Sequence, residues 1–289
     1  NAIQQVREVT GPVIMGGSES VRDTYGDYVV DENKNVQYFE PAVLIGSTLE
    51  ETSATLRLWA RYSAQHGGWV HNASDVARDQ GWERTLVLIK PDNFRFPNSR
   101  PGNIVDVLSR SGLRIIAAKI HRMSVNEAEE FYGPVRSFLR EKMKKQAAER
   151  ATLTLEAEFG VKIPEQLKNT LAEALGPAVG DEQFNQIVKF MTGCYPPSCP
   201  PEERAREGRN KCLALVYGGV NAISKIRQLH GSTDPSKAAT GTVRRKFGHD
   251  IMVNAAHASD SSENANREIG IVKVEEDLLS PWVEKYYPG

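Results

Sequence analysis

The stretch from Asn254 to Asp260, with the sequence NAAHASD, contains the side chain best suited to covalent chemistry in this chain. Its histidine, His257, has alanine on both sides, so a ligand can approach the imidazole without meeting a bulky neighbour. Asp260 and Glu263 have the spacing of a capping box, which predicts that a helix begins here. Free amide N–H groups at a helix N-terminus favour anions. The stretch therefore predicts a histidine that meets a phosphoryl group.

Three further stretches accompany this histidine. The segment 83–92 is predicted to be a strand that ends in Lys90-Pro91-Asp92, and a long loop before the histidine contains GSTDP at 231–235 and GTVR at 241–244. Together, these four motifs resemble the active-site signatures of the nucleoside diphosphate kinase family. The resemblance covers residues 83–289 with two insertions, and it does not extend to the first 82 residues.

The resemblance implies an enzyme that transfers the γ-phosphate of a nucleoside triphosphate to a nucleoside diphosphate through a phosphohistidine on His257. It implies that Glu268 orients the ring, and that Ser259 and Tyr132 support the pair by hydrogen bonding. A histidine nucleophile must be neutral, and we expect the cations Arg244 and Lys90 to keep the pKa of His257 from rising. Mg²⁺ is expected to arrive with the nucleotide, without a dedicated metal site on the protein.

The resemblance also implies two groups of nucleotide-binding residues. The residues expected to contact the phosphates and the sugar are Lys90, Arg227, Thr233, Arg244 and Asn254. The residues expected to contact the base are Phe184, as the stacking aromatic, with Val188 and Ile251 as its apolar neighbours. Phe184 and Val188 are one helical turn apart, a spacing that is equally typical of a buried core stripe.

The elements that must position these residues follow the order β-α-β-α-β-α-β once the insertions are set aside. This order predicts a ferredoxin-like α/β sandwich, an α+β fold with extra helices, in agreement with the resemblance. The last strand is predicted near residues 250–253, immediately before the histidine motif. The insertions are expected at about 138–183, as a helical hairpin forming a lid or rim at the base end of the site, and at 194–211, as a proline-rich loop.

The first 82 residues predict a separate small module, and residues 83–289 a catalytic domain. A hairpin is predicted to turn at 31–35, and Ser47 with Glu50 is predicted to cap a helix that runs to about Ala64. Leu49, Leu56 and Trp59 are expected on the core side of this helix. A linker is expected after Gly67, with the domain boundary near Trp82.

Length and composition narrow the class of protein. A chain of 289 residues predicts about two domains, and a formal net charge of −1 gives no overall attraction for nucleic acid. No apolar run approaches the ~18 residues that a membrane span requires. Three cysteines without metal-finger spacing favour reduced thiols in a cytoplasmic protein, with a redox or metal role for Cys194 and Cys199 as the alternative.

One stretch of the long loop is similar to a different nucleotide-binding motif. The segment 231–238 imitates a phosphate-binding Walker A loop, but Ser236 and Ala238 replace its second glycine and its closing hydroxyl residue, so we reject it. Two positions depart from the family pattern: Asn93 stands where a glycine usually follows Lys-Pro-Asp, and Gly218 where an acidic residue is frequent. The alternative function is a nucleotide-binding or scaffolding module with little turnover. The family resemblance and the aromatic C-terminal tail favour a homo-oligomer, at least a dimer.

Overall fold

The computed structural model describes residues 2–13, 19–66, 81–274 and 279–287. The chain divides into two compact units, one formed by residues 1–67 with 277–289 and the other by residues 68–276. The linker predicted after Gly67 and the domain boundary that depends on it lie largely outside the described residues, so the boundary stays a prediction.

The first unit begins with short helices and a hairpin. Its N-terminal elements are α1 (Ala2–Thr10), α2 (Val21–Tyr25), β1 (Asp27–Val30), β2 (Val36–Glu40) and α3 (Leu49–His66). The predicted hairpin is confirmed, since β1 and β2 pair in antiparallel fashion.

The start of α3 differs by one residue from the predicted capping box. Thr48 accepts a hydrogen bond from the Glu51 amide at 3.1 Å, and the Ser47 amide donates to the Glu51 carboxylate at 2.7 Å. Leu49 and Trp59 are 65% and 55% exposed, so the prediction that they face a core is wrong. A weakly amphipathic helix does not by itself fix which face becomes buried.

The second unit is built on a four-stranded antiparallel sheet. Its strands are β3 (Trp82–Ile89), β4 (Arg114–His121), β5 (Cys212–Val220) and β6 (Ala256–Ala258), in the spatial order β4-β5-β3-β6. With the helices that connect them, this order confirms the predicted ferredoxin-like α+β sandwich.

The last strand lies later in the chain than predicted. Residues 250–253 form a turn, because the Asp250 carboxylate accepts hydrogen bonds from the amides of Met252 and Val253 at 2.8 and 2.7 Å. Strand β6 instead contains His257, which pairs with Leu88 of β3. A three-residue strand of alanines and one histidine has little intrinsic β propensity, so its pairing depends on the neighbouring strand.

Helices cover the sheet of the second unit. They are α4 (Arg100–Ser109), α5 (Val125–Phe159), α6 (Glu165–Thr192), α7 (Ala222–His230), α8 (Val243–Phe247) and α9 (Ser262–Val272), with 3-10 turns at Pro91–Asn93, Pro196–Ser198, Pro201–Glu203 and Pro235–Lys237. A capping box begins α5, where Ser124 and Glu127 exchange hydrogen bonds at 2.8 and 3.2 Å.

The first insertion, predicted as a helical hairpin, forms the outer part of two long antiparallel helices. α5 and α6 approach most closely at two glycines, where a Cβ on Gly180 would lie 2.6 Å from the Arg140 backbone and one on Gly176 would lie 2.5 Å from the Lys144 side chain. Asp181 accepts hydrogen bonds from Arg136 and Arg140 at 2.7 to 2.8 Å, and these two guanidinium groups hold the pKa of its carboxyl well below the usual range. The helices are therefore joined by close packing and by ion pairs.

The sheet separates two apolar cores. Leu86 and Leu88 of β3 face one core with residues of α5, α6 and α9, whereas Val87 and Ile89 face the other with residues of α4 and α8. This alternation follows from the two-residue period of a strand. Both faces of β3 are therefore buried, and this burial fixes the register in which β3 pairs with the histidine strand β6.

The C-terminal helix α10 (Leu279–Tyr286) belongs to the first unit. Val283 of α10 and Ala60 of α3 are both 6% exposed, and the Ser280 hydroxyl donates to the Ala60 carbonyl at 3.0 Å. The prediction that the catalytic domain continues to residue 289 is therefore wrong at this end, because α10 buries its apolar side on α3. Among the described residues, no helix combines the length and apolar character that crossing a membrane requires.

Candidate active site

His257 lies on β6 with one ring nitrogen held. Its Nε2 is 3.0 Å from a carboxylate oxygen of Glu268, a residue of α9 that is 4% exposed. The Ser259 hydroxyl donates to the same carboxylate oxygen at 2.6 Å. Because an ionised carboxylate only accepts hydrogen bonds, Nε2 is the donor of this bond, and in the neutral imidazole Nδ1 then keeps its lone pair. The structure thus brings together His257, Glu268 and Ser259.

The helix after the histidine begins one residue later than predicted. Ser261 caps α9 by accepting a hydrogen bond from the Asn264 amide at 3.1 Å, and Asp260 accepts one from the Asn264 side chain at 2.6 Å. The predicted box of Asp260 and Glu263 is therefore wrong. His257 lies on a strand ahead of this cap. The attraction of an anionic ligand to the ring therefore depends on nearby side chains and not on the helix N-terminus.

Two aromatic rings pack edge-on against the imidazole. The ring centroids of Phe131 and Tyr132 lie 5.1 and 6.2 Å from that of His257. The Tyr132 hydroxyl is buried and has no hydrogen-bond partner in the described part of the chain, so the predicted hydrogen bond to the catalytic pair is not present. Burial raises the pKa of this hydroxyl strongly, which keeps it neutral. Tyr132 contacts His257 through its ring.

Lys90 follows the end of β3 and is nearly buried. Its Nζ donates to Asn254 Oδ1 at 2.6 Å and to the Met252 carbonyl at 3.3 Å. Burial, and to a lesser extent the charge of Arg244, lower the pKa of Lys90 to about 8. The Lys90 ammonium is therefore a charged group that has lost most of its hydration.

Arg244 of α8 reaches the histidine strand. Its guanidinium donates to the Ala256 carbonyl at 3.3 Å, to the Gly231 carbonyl at 3.1 Å and to the Thr233 hydroxyl at 3.3 Å. Its buried Nε has no hydrogen-bond partner among the described residues. Burial and the charge of Arg227 lower the pKa of Arg244 to about 10. Arg227 itself is exposed on α7.

Asn254 joins the long loop to Lys90. Its side-chain amide donates to the carbonyls of Thr233 and Ile251 at 3.2 and 2.8 Å, while its oxygen accepts from Lys90. Asn254 is 2% exposed, so these bonds fix its orientation. Ile251 is 57% exposed and remains open to a ligand.

The predicted base-stacking residues lie elsewhere. Phe184 and Val188 are 1% and 0% exposed in the core between the sheet and α6, so neither offers a face to a nucleotide. The prediction for these two residues is therefore wrong, and the core-stripe alternative is confirmed. The α6 aromatic near the site is Phe190, whose ring centroid lies 6.0 Å from Lys90 Nζ. Its six-residue offset from Phe184 places it on a different helix face.

Two buried groups near the site were missed from the sequence. His230 is 1% exposed, and neither ring nitrogen has a hydrogen-bond partner within the described residues. Burial, with the charges of Arg244 and Lys90, lowers the pKa of His230 well below its usual value. Asn93 is fully buried and donates to the carbonyls of Lys90 and Ala255 at 3.0 and 2.8 Å. The sequence indicated Asn93 through its difference from the glycine that is usual at this position in the family.

Acidic and thiol side chains do not cluster at this site. Among the described residues, no group of three or more His, Cys, Asp or Glu side chains is arranged to hold a metal ion. Cys194, Cys199 and Cys212 are free thiols, and burial raises the pKa of Cys212 to about 12.

Known proteins resemble about two thirds of this chain. The nucleoside diphosphate kinase family model matches residues 83–147 and 160–278. A nucleoside diphosphate kinase of Chlamydia pneumoniae is 32% identical over 187 residues, which cover 65% of this chain and 88% of that protein. One from Wolbachia sp. subsp. Brugia malayi is 30% identical over 197 residues, covering 68% and 98% of the two chains.

A solved structure is also similar. The NDP kinase of Pyrobaculum aerophilum shares 26% identity over 66% of this chain and 94% of that one, with a TM-score of 0.43. The two segments that the family model matches contain the histidine strand, Glu268, Lys90 and Arg244. On the strength of that match, the chain belongs to the nucleoside diphosphate kinase family.

Proposed function

We propose that His257 carries the phosphoryl group in this chain, a nucleoside diphosphate kinase that transfers phosphoryl groups between nucleotides. The observation that supports this role most directly is the 3.0 Å hydrogen bond between His257 Nε2 and Glu268. It leaves Nδ1 as the nucleophile and stabilises the positive charge that the ring gains on phosphorylation.

The reaction proceeds in two halves. Nδ1 of His257 attacks the γ-phosphorus of a nucleoside triphosphate, and the bond from phosphorus to the bridging oxygen breaks, so a nucleoside diphosphate leaves. A terminal oxygen of a second diphosphate then attacks the phosphohistidine, and the phosphorus–nitrogen bond breaks. Through both halves Glu268 keeps the ring proton on Nε2, while Ser259 holds the carboxylate in place.

The proposed phosphate-binding groups are Lys90, Arg227, Thr233 and Arg244. Positive charge fixed beside the transferring group stabilises the transition state, and the loss of one such group typically costs about 10²- to 10³-fold in rate. Arg244 suits this role because it donates to the Ala256 carbonyl, one residue from the nucleophile. Asn254 and Ile251 are proposed to contact the sugar and the base.

The family generally requires a divalent cation, and we propose Mg²⁺ for this chain. The cationic side chains suit an ion that enters already bound to the nucleotide phosphates. Bound there, Mg²⁺ would neutralise charge on the β- and γ-phosphates. The expected cytoplasmic location stays a prediction.

Labelling with a γ-labelled triphosphate tests the role of His257. The protein should become labelled in an acid-labile, base-stable form, and His257→Ala should remain unlabelled. His249→Ala, which removes an exposed imidazole, is the matched control and should become labelled at the normal rate. Labelling of His257→Ala at that rate would refute the proposal.

Transfer onward separates the enzyme from the scaffold alternative. The isolated phosphoprotein should pass its label to an added nucleoside diphosphate. Retention of the label, together with measurable diphosphate binding, would favour a binding module with little turnover.

We also propose that the chain assembles at least as a dimer. Strand β4 is an edge of the sheet, and its Ile115 and Ile120 are 38% and 53% exposed. An edge with free backbone groups and exposed apolar side chains favours association. Light scattering at micromolar concentration should give at least twice the chain mass of 32.1 kDa, and a monomer mass would refute the dimer.

A further inference from the structure

The turn that leads into the histidine strand has an unfavourable backbone conformation. Ala255 has a φ of +69°, in the left-handed region that residues with a Cβ rarely adopt. The residues on either side contact the site: Asn254 accepts a hydrogen bond from Lys90, and Ala256 is the first residue of β6. Such a conformation persists only where surrounding contacts hold it.

Two donors converge on the Ala255 carbonyl. The Lys90 amide lies 2.9 Å from this oxygen, and Nδ2 of Asn93 lies 2.8 Å from it. The same Asn93 nitrogen also donates to the Lys90 carbonyl at 3.0 Å. One buried side-chain amide therefore joins the end of β3, which carries Lys90, to the turn before His257.

The orientation of this amide is itself fixed. Arg100 Nε donates to Asn93 Oδ1 at 3.1 Å, and another nitrogen of the same guanidinium donates to the Phe247 carbonyl at 2.6 Å. Because arginine only donates, it selects the oxygen of the amide and leaves the nitrogen facing the two carbonyls. The hydrogen bond from Arg100 therefore holds the Asn93 amide in one orientation, with its nitrogen toward the turn at Ala255.

We infer that Asn93 is a positioning residue for phosphoryl transfer, which sets the placement of His257 relative to Lys90 by holding the strained turn at Ala255. The inference rests on the proposed role of His257 as the phosphoryl carrier. A glycine, usual at this position in the family, has no side chain with which to make either bond. This chain has therefore added a support behind its nucleophile, where small displacements have large effects on rate.

Asn93→Asp is the sharpest test because it preserves shape. The carboxylate still accepts from Arg100 but places an oxygen against two carbonyl oxygens, so the turn should shift. We expect the single-turnover rate of His257 phosphorylation to fall about 10- to 100-fold, as is typical when a supporting residue is lost. The Kd for a nucleoside diphosphate should change less than about threefold, because Arg244 and Thr233 are untouched.

Asn210→Asp is the matched control. Its amide also donates to one backbone carbonyl, that of Phe190, at 2.9 Å, and the substitution makes the same chemical change. This variant should phosphorylate at the normal rate. Asn93→Gly supplies a second variant if Asn93→Asp fails to fold, and the loss of rate at unchanged Kd is expected there too.

The outcomes separate this inference from the proposed function. A normal phosphorylation rate in a folded Asn93 variant would overturn the positioning role while leaving the role of His257 intact. An equal loss in Asn210→Asp would also overturn it, since a side-chain amide bonded to the backbone elsewhere would then matter as much. No phosphorylation of His257 in the wild-type protein would overturn the proposed function instead.

Discussion

Lys90 titrates within the range in which the protein can be assayed. Its pKa is lowered to about 8, and only the charged ammonium attracts phosphate. We therefore expect kcat/KM for the nucleoside triphosphate to decline as the pH rises through about 8, because this parameter reports the free, unphosphorylated enzyme. Initial rates between pH 6.5 and 10 measure the decline.

The variant Lys90→Arg tests whether Lys90 causes the decline in kcat/KM at alkaline pH. Arginine stays charged throughout this range, so the variant, although slower, should lose the alkaline decline. An unchanged decline in Lys90→Arg would assign it to another group.

His230 makes stability depend on pH on the acid side. Its pKa is depressed in the folded protein, so below its unfolded pKa of about 6.5 the unfolded chain binds more protons and folding is weakened. The free energy of unfolding should therefore decrease as the pH is lowered, and His230 contributes at most about 1.4 kcal/mol per pH unit to this decrease. His230→Leu should reduce the difference between pH 7 and pH 5.5, measured by urea unfolding. An identical difference in both proteins would contradict the assignment.

The pairing of His257 with Glu268 and Ser259 was predictable, since the family resemblance implies all three residues together. The burial of Phe184 was not, because a one-turn spacing describes a stripe without saying which side faces the core. His230 gave no signal, as a single histidine at a helix end is ordinary. Its lowered pKa comes from burial and from the cations that the fold brings around it.

At the scale of elements, the long hairpin depends on the close approach of α5 and α6. A Cβ at Gly180 would lie 2.6 Å from backbone atoms of Arg140, which cannot move away cheaply. Gly180→Ala should therefore lower the free energy of unfolding by about 1–3 kcal/mol. Chemical denaturation gives the value.

Gly270→Ala is the matched control, since a Cβ at this α9 glycine meets no atom within 4 Å. There the substitution should raise stability by about 0.5–1 kcal/mol through helix propensity. Destabilisation of both variants to the same extent would mean that close approach is not the cause. The expected lid role of residues 138–183 stays a prediction, which hydrogen exchange with and without diphosphate tests.

The elements of the second unit were largely predictable because their apolar periods are strong. The exception is β6, whose short alanine-rich sequence gives no β signal and whose pairing is supplied by β3. The sequence also did not indicate the full lengths of α5 and α6. Pro134 and Pro177 lie inside these helices, and a proline usually marks a helix boundary, so the sequence favours shorter helices than the structure has.

At the scale of the whole molecule, the first unit should be separable from the chemistry. Val283 of α10 is buried on α3, so Val283→Asp places a charge in an apolar contact and should destabilise this unit by about 3 kcal/mol or more. The rate of His257 phosphorylation should stay within about twofold of normal. Calorimetry with and without nucleoside diphosphate distinguishes the transition that the ligand stabilises from the one that it does not.

Lys285→Asp introduces the same residue on the exposed side of α10 and should change stability by less than about 1 kcal/mol. Loss of phosphorylation in a Val283→Asp protein whose ligand-stabilised transition is intact would show that the first unit takes part in the reaction. The sequence predicted that this unit is separate, but not that the C-terminal helix returns to it. Nothing in a short aromatic helix specifies its partner.

The hairpin of α5 and α6 also bears on how this chain diverged from its relatives. Both helices continue outward without a break, and the facing positions repeat in steps of one turn, from Arg140 to Lys144 on α5 and from Gly180 to Gly176 on α6. The interruption in the family match, residues 148–159, falls on the last turns of α5. An antiparallel pair of this kind can gain or lose whole turns at its tip while the ends beside Tyr132 and Phe190 stay fixed. The length of the hairpin can therefore differ among related proteins while the catalytic residues keep their places.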